Sequence, residues 1–318
     1  MGSGIHRNYC QLGLTKRVKT VRNRELKKLI GSEAFVGYIL ILPWIIGLLM
    51  FQFGPILQSF YLSFTKYNIL QPSRFTGLSN YRRIFSDLYF IRASEVTFKY
   101  VLMTVPMKII FAFIVALVLN MKLKGIALFR TIYYIPSIFG ASIAMSILWK
   151  ALFIYNGMVN QLLGVIGVKG PSWLGSPSLA LFTISMLNVW QFGSSMVIFL
   201  AGLKQIPTEL YEAARVDGAG KFACLLHVTI PGVAPLATFN ILMQMIFAFQ
   251  TFAAPYTIFD GTGGPLDSTL LYVIYLYRQG FKIFDMGYAS TLSWMLLCMI
   301  SVTAALIYFL DKKFVNYD

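Results

Sequence analysis

Long apolar runs separated by short polar segments form the main pattern along the chain. Six runs of about 20 residues or more are nearly free of Asp, Glu, Lys and Arg, and about 20 helical residues are enough to cross the hydrocarbon core of a bilayer. The pattern predicts an all-α, polytopic integral membrane protein. Its six transmembrane helices are predicted at residues 36–62, 101–121, 131–152, 179–202, 233–257 and 287–310.

The polar flanks of these runs predict the orientation. The segment before the first span, residues 1–35, carries eight Lys or Arg, which the positive-inside rule places in the cytoplasm. The first run is too long and starts too late to be a cleaved signal peptide. Six spans return the tail, residues 311–318, to the same side, so we expect both termini in the cytoplasm.

Three segments, 63–100, 153–178 and 258–286, are then expected outside. In the second of these, turn residues surround a short apolar piece, Met158–Val168, which is too short to cross the membrane. We expect it to form a helix at the outer interface and not a seventh span.

The composition excludes several classes of protein. Hydrophobic residues make up 57% of the chain and charged residues 12%, whereas soluble domains have about 25% charged residues, so a soluble fold is excluded. The net charge of +15 lies at the ends of apolar runs without a nucleic-acid-binding motif, which favours membrane lipid over nucleic acid as a partner. Three cysteines without metal-ligand spacing predict neither a metal site nor a disulfide framework.

The chemistry expected of the chain is limited by what its motifs lack. The six predicted spans contain no Asp or Glu, which weakens the alternative of an ion-coupled secondary carrier, since such proteins usually place ionisable groups in the membrane. The sequence contains no Walker A motif and no GxSxG nucleophile elbow, so we expect no catalytic residue and no ATPase activity in this chain itself.

The predicted cytoplasmic loop 203–232 has the pattern of a helical hairpin. Thr208 followed by Glu209 and Glu212 indicates a helix start capped by the Thr208 side chain, because threonine is a favourable cap residue and acids are favourable near a helix N-terminus. Asp217-Gly218 is a turn dipeptide that ends this helix. A second short helix is expected from about 219 to 228, before two prolines open the next span. Such a hairpin, projecting from the membrane, is a candidate docking element.

This loop resembles a known motif. Its residues are Glu212-Ala213-Ala214, then Gly218, then Val228-Thr229-Ile230-Pro231. This pattern is similar to the EAA loop of the permease subunits of binding-protein-dependent type I ABC importers, with valine and isoleucine at the usual isoleucine and leucine positions. Over roughly residues 35–315 the chain also resembles the carbohydrate-uptake, maltose-type branch of that family. The matching segments are Leu42-Pro43, Gly54-Pro55, Ser63-Phe64, 75–81, Phe129-Arg130-Thr131, Pro136, Trp149-Lys150, 200–203, Ile206-Pro207, Gly263-Gly264-Pro265 and 286–290.

The resemblance implies a type I ABC importer permease fold and a set of partners. They are a second homologous permease, non-identical in this branch, two ATPase subunits that bind ATP and Mg, and an extracytoplasmic solute-binding protein that docks on 63–100 and 258–286. It also implies a bacterial plasma (inner) membrane location and no cofactor in this chain. The implied ATPase-coupling residues are Glu212, Ala213, Ala214, Asp217 and Gly218.

Polar and aromatic residues in the fourth and fifth spans are candidates for a solute pathway, because a sugar needs hydrogen-bonding groups to replace its hydration and aromatic faces for its C–H surface. The alternative is that these residues only join packed helices. The candidates are Asn188, Trp190, Gln191, Ser194, Ser195, Asn240, Gln244, Phe249, Gln250, Thr251 and Phe252.

Lys108 is the charge that lies well inside a predicted span. We expect its side chain to snorkel towards the outer face. The alternative is that it attracts an anionic solute such as a uronate-containing, alginate-like oligosaccharide.

Together these features predict the permease subunit of an ABC transporter that imports oligosaccharides or polysaccharide fragments. The alternatives are an ion-coupled carrier or a channel that acts without ATPases, and, for the substrate, an anionic instead of a neutral saccharide.

Overall fold

A computed structural model describes residues 33–121, 125–140 and 142–314. Contacts divide the chain into two units at Tyr61 and Leu62. In the first unit the described part is helical: α1 spans Glu33–Leu48, a π-helical segment spans Leu49–Phe53, and α2 spans Gly54–Ser63 and reaches into the second unit. This helical run agrees with the predicted first span. The basic segment predicted over residues 1–35 lies, up to residue 32, outside the described residues.

The second unit contains most of the helices and a small sheet. Its elements are β1 Thr65–Asn68, β2 Gln71–Phe75, α3 Ser79–Ile84, α4 Leu88–Leu119, α5 Ile126–Phe139, α6 Ile143–Phe153, α7 Met158–Val165, α8 Pro177–Trp190, α9 Gly193–Gln205, α10 Thr208–Val216, α11 Lys221–Cys224, a π-helical segment Leu225–Thr229, α12 Ile230–Phe249, α13 Ala253–Ile258, a 3₁₀ turn Pro265–Asp267, α14 Tyr272–Tyr277, a π-helical segment Arg278–Lys282 and α15 Met286–Phe314.

Helix α4 is the centre of this unit. It packs against α8, α9 and α12, and Ala93, Ala112 and Ala116 are fully buried, so neighbouring helix backbones approach closely at these small side chains. The carboxylate of Asp87 starts the helix by accepting hydrogen bonds from the backbone N–H groups of Tyr89 and Phe90, at 3.0 and 3.3 Å.

Helix α4 begins 13 residues before the predicted span 101–121, because the charges that interrupt the apolar run do not interrupt the helix. Glu95 accepts from Arg92 and from Lys99, three and four residues away on the exposed face, at 3.2 and 2.5 Å. These pairs suit a helix surface. Since α4 has 32 residues and is therefore about 48 Å long, it exceeds a hydrocarbon core of about 30 Å.

Two of the predicted spans are pairs of helices with a bend between them, and a third contains a short non-helical break within one candidate span. The span predicted at 131–152 corresponds to α5 and α6, and the span at 179–202 corresponds to α8 and α9, which meet at an angle of 47°. The span at 233–257 corresponds to α12 and α13, separated by 250–252. Among the described residues, four helices are long and apolar enough to cross a membrane, or up to six if each of two bent pairs counts as one span. Six is thus the upper count.

The helix of the last predicted span has nearly the predicted bounds, whereas the segment before the fifth predicted span differs from its prediction. Helix α15 begins at Met286 and runs to Phe314, against a predicted 287–310. The hairpin helix predicted to end near 228 instead continues through the π-helical segment into α12. One long candidate span therefore covers Lys221–Ile258. Pro231 lies just after the π-helical segment, and the helix continues through it.

A two-stranded sheet departs from the all-α prediction. Within the predicted external segment 63–100, β1 pairs antiparallel with β2, Thr65 opposite Phe75. The amide of Asn80 supports the hairpin by donating to the carbonyl oxygens of Ser63 and Thr65, at 3.0 and 2.8 Å. Because these supporting contacts come from Asn80, five residues beyond β2, the local sequence pattern did not predict the hairpin. Helix α7 agrees with the short helix predicted at 158–168.

Candidate functional site

One cavity of about 350 Å³ is formed where helices are interrupted. The break between α5 and α6 contributes Gly140, the break between α8 and α9 contributes Gln191, and the break after α12 contributes Gln250 and Thr251. The remaining lining residues are Ser146, Asn188, Phe252, Ala253 and Ala254. Interrupted helices leave backbone and side-chain polar groups free for a ligand, and transporters place solute sites at such breaks.

Gln191 is fixed by the glycine on the opposite wall. Its Nε2 donates to the carbonyl oxygen of Gly140 at 2.8 Å, and its own carbonyl oxygen accepts from the hydroxyl of Ser137 at 3.1 Å. A Cβ atom added at Gly140 would lie 2.0 Å from Cδ of Gln191. Glycine is therefore required for the close approach of the two helix breaks, and the Gln191 Oε1 atom remains as an acceptor.

Lys108 lies behind the cavity wall. Its side chain is 6% exposed, and its Nζ donates to Oδ1 of Asn188 at 3.0 Å. The prediction that Lys108 snorkels outward is wrong, because α4 is buried on this face by α8 and the side chain finds an amide oxygen there.

Two further polar residues of α4 were missed in the sequence. Thr104, one turn before Lys108, donates from its hydroxyl to that of Ser185 at 2.9 Å. One turn earlier, the fully buried Tyr100 hydroxyl lies among the side chains of Thr104, Asn188 and Thr251. The spacing 100, 104 and 108 is a four-residue repeat, which places the three side chains on one helix face. This repeat is the feature of the sequence from which Tyr100 and Thr104 could have been predicted to lie next to Lys108.

The predicted pathway residues fall into two groups. Asn188, Gln191 and Gln250 line the cavity, together with Thr251 and Phe252. The others pack between helices, as the alternative interpretation expects. Trp190 contacts Trp149 with ring centroids 6.3 Å apart, Phe249 meets Phe98 edge-on at 5.3 Å, Ser194 donates its backbone N–H to Ser137 at 3.1 Å, Ser195 accepts at its carbonyl oxygen from Asn240 at 3.0 Å, and Gln244 is buried.

The hairpin predicted in 203–232 is a helix–turn–helix. Helix α10 ends at the turn Asp217-Gly218, where Gly218 has φ +81°, a left-handed conformation that favours glycine. The predicted cap at Thr208 is absent: Thr208 is the first helical residue, and Pro207 at the cap position makes no side-chain hydrogen bond. Proline fixes the backbone angle and starts the helix without a cap.

The hairpin presents both polar and apolar groups to solvent. Glu212, Ala213, Asp217 and Gly218 are exposed and Ala214 is partly exposed. Exposed apolar side chains lie on the same hairpin, at Leu210, Val216, Phe222 and Leu226. At its base, Gly202 and Gly232 allow close packing, since added Cβ atoms would lie 2.4 Å from Leu236 and 2.9 Å from Ile206. A clustered set of exposed apolar groups is typical of a protein-binding surface.

A network at the start of α4 was not anticipated from the sequence. Asp87 accepts from the hydroxyl of Tyr275 and from that of Tyr288, the latter at 2.6 Å. Burial alone would raise the pKa of Asp87, but the two tyrosine hydrogen bonds lower it below its ordinary value. Burial raises the pKa of Tyr275, and its hydrogen bond to Asp87 raises it further. The network joins α4, α14 and α15 at one end of the unit.

Comparison with known proteins defines the class. The fold is similar to that of a chain in a solved bacterial alginate ABC transporter bound to a periplasmic protein carrying alginate pentasaccharide, with a TM-score of 0.74, 20% identity and coverage of 92% of this chain and 98% of that one. The fold is thus that of an ABC importer permease.

Sequence relatives give the family. Residues 96–316 match the binding-protein-dependent transport system inner membrane component. The chain is 42% identical to the probable ABC transporter permease YesP of Bacillus subtilis, over 91% of this chain and 94% of that protein. It is 33% identical to the lactose transport permease LacF of Rhizobium radiobacter, over 87% and 94%. The chain belongs to the family of inner membrane components of binding-protein-dependent transport systems.

Proposed function

We propose that this chain forms half of a translocation pathway for oligosaccharides or polysaccharide fragments, and that the cavity at the three helix breaks is part of that pathway. The observation that carries the proposal is the convergence of Gln191, Gln250 and Asn188 on one cavity. Its volume of about 350 Å³ is within the range of about 300–1,000 Å³ found for small-molecule sites. The relatives support the solute class, since one is named for lactose and a structural neighbour for alginate.

The lining chemistry suits a saccharide. Asn188, Gln191 and Gln250 supply amide donors and acceptors that replace hydration of hydroxyl groups, and Phe252 supplies an aromatic face for the C–H side of a ring. None of the nine lining residues is charged. Weak, neutral hydrogen bonds are appropriate for a pathway, because a solute has to leave it as well as enter.

The hairpin provides the proposed connection to ATP hydrolysis. In this reading Glu212 accepts a hydrogen bond from a basic group of an ATPase subunit, the two alanines allow close contact, and Gly218 permits the reversal of the chain. The exposed apolar residues Val216 and Phe222 support docking into a cleft. ATP and Mg are bound and used by two separate ATPase subunits, and this chain is their non-catalytic membrane partner.

The proposal also includes the remaining subunits of the importer and the orientation of this chain. A second, non-identical permease completes the pathway, and an extracytoplasmic solute-binding protein docks on segments 63–100 and 258–286. Both chain termini lie on the cytoplasmic side of the bacterial inner membrane.

Purification and reconstitution test the proposal against a carrier or channel acting alone. The tagged chain is expressed with its neighbouring transport genes, purified and placed in proteoliposomes with ATP inside. We expect ATPase subunits to co-purify, and oligosaccharide uptake to require both ATP and the binding protein. Uptake driven by an ion gradient in the absence of ATPase subunits would contradict the proposal and support the carrier.

A further inference from the structure

Lys108 is a buried charge behind a neutral cavity wall. It is 6% exposed on α4, within a candidate membrane span. The ion pairs found among the described residues join other side chains and do not include Lys108. A buried cation without a counter-charge is unfavourable, and charged groups inside membrane helices are typically placed on substrate or ion pathways.

The hydrogen bond to Asn188 determines which polar atom that amide can offer the cavity. A lysine ammonium only donates, so the amide oxygen of Asn188, 3.0 Å from Nζ, is the accepting atom. The Asn188 nitrogen therefore remains as a donor. Because Asn188 lines the cavity, this wall combines an N–H donor with a positive charge one residue behind it.

A second buried polar group lies next to Asn188. The Tyr100 side chain is fully buried. Its side-chain neighbours include Asn188 and Thr251, which both line the cavity. The face of α4 behind the cavity thus carries two buried polar groups, Tyr100 and Lys108, and both lie next to a residue that lines the cavity.

We infer that Lys108 makes the cavity selective for acidic saccharides. A solute carboxylate accepts a hydrogen bond from the amide nitrogen of Asn188, and the charge of Lys108 compensates the carboxylate through that amide. Lys108 is a positioning and selectivity residue, since Asn188 is the side chain that touches the solute. This inference rests on the proposed function and narrows its substrate class.

The test measures equilibrium binding of two matched probes to the complete transporter in lipid nanodiscs. The probes are a labelled uronate trisaccharide and its methyl ester, which has the same rings without the charge. The wild-type complex is expected to bind the acid about tenfold more tightly than the ester, the size of a single screened charge interaction. Lys108→Met should equalise the two affinities, and Lys108→Arg should keep a preference for the acid.

A control on the same helix face separates selectivity from packing. Thr104→Val removes a buried hydrogen bond one turn away, and it should leave the acid-to-ester ratio at the wild-type value. Equal binding of the two probes by the wild-type complex, or no binding of either, overturns the inference. So does a Lys108→Met variant that weakens both probes by one common factor, because Lys108 would then only orient Asn188.

Uptake distinguishes this inference from the function on which it rests. One outcome is that acid and neutral trisaccharides are taken up with ATP at the same rate, and that Lys108→Met does not change the ratio of the two rates. This outcome supports the transporter assignment and refutes the inferred selectivity. A tenfold binding preference for the acid without ATP-dependent uptake keeps the selectivity and removes the assignment.

Discussion

Replacing Gly140 with alanine perturbs the cavity directly. The new Cβ atom would lie 2.0 Å from Cδ and 2.2 Å from Cγ of Gln191, so the glutamine side chain has to leave its position. The move breaks the hydrogen bond from Gln191 to the Gly140 carbonyl oxygen, worth about 0.5–1.5 kcal/mol. Adding the usual overpacking cost, we expect a loss of about 1–3 kcal/mol in the free energy of unfolding.

The same change should reduce transport, because Gln191 lines the cavity. We expect Gly140→Ala to lower ATP-dependent oligosaccharide uptake in proteoliposomes, and to lower the unfolding midpoint in detergent. The double variant Gly140→Ala with Gln191→Ala removes the clashing atoms, so its stability should recover towards that of Gln191→Ala alone. Gly164→Ala is the matched control, since a Cβ there meets nothing within 4 Å. If Gly140→Ala behaved like Gly164→Ala in both assays, the proposed contact would be refuted.

Three further predictions follow from other parts of the structure. Glu212→Lys or Gly218→Pro should leave the chain in the membrane but abolish solute-stimulated ATP hydrolysis, and survival of that activity in both variants would contradict the coupling role. In the control Gly218→Ala the new Cβ meets nothing within 4 Å, so the free energy of unfolding should fall only by the left-handed backbone strain, about 1–2 kcal/mol. Asp87→Asn should lower the free energy of unfolding by about 1–3 kcal/mol, because charge-assisted hydrogen bonds from two tyrosines are lost; Glu209→Gln, on the exposed hairpin, is the control and should change it little. Since the pKa of Asp87 is lowered in the fold, the stabilisation that its carboxylate provides should be complete above about pH 4 and should decline as pH falls through the lowered pKa. Denaturation at a series of pH values measures this decline, and the Asp87→Asn variant should lack it.

The sequence predicts the membrane class, the approximate place of the helices and the helical hairpin in 203–232, because these depend on local patterns. Apolar run length identifies helices such as α15 within a few residues, and Asp217-Gly218 identifies the turn. Helix α4 begins before its predicted span because run length treats every charge as an interruption, whereas Glu95 is paired within the helix. The sheet was not predicted for a different reason, since it is supported by contacts from Asn80, which lies beyond both strands.

The lining of the proposed solute site was only partly predictable, and the reason is geometric. Residue type and span position suggested Asn188, Gln191 and Gln250, which line the cavity, but equally suggested Ser195 and Gln244, which pack between helices. Periodicity along one helix cannot tell these groups apart, because the distinction depends on which neighbouring helix is interrupted opposite each residue. Gly140 illustrates the point: its role depends on a side chain 51 positions later.

The helix interruptions and the inferred solute selectivity depend on different elements of this unit. An unbroken membrane helix satisfies its own backbone groups and leaves a solute only side chains to contact. At 190–193 and 249–253 the helices stop, and the amides of Gln191 and Gln250 come to the cavity at the stops. A break also costs stability, so each one has to be held by contacts such as that of Gln191 with Gly140. In the inferred selectivity, Lys108 acts from the other side of the wall, on the continuous helix α4, where the backbone is satisfied and a buried charge can be held in a fixed place. If the helix breaks and Lys108 have these separate roles, substitutions at the breaks should change transport and stability together, while substitution of Lys108 should change mainly which solute is preferred.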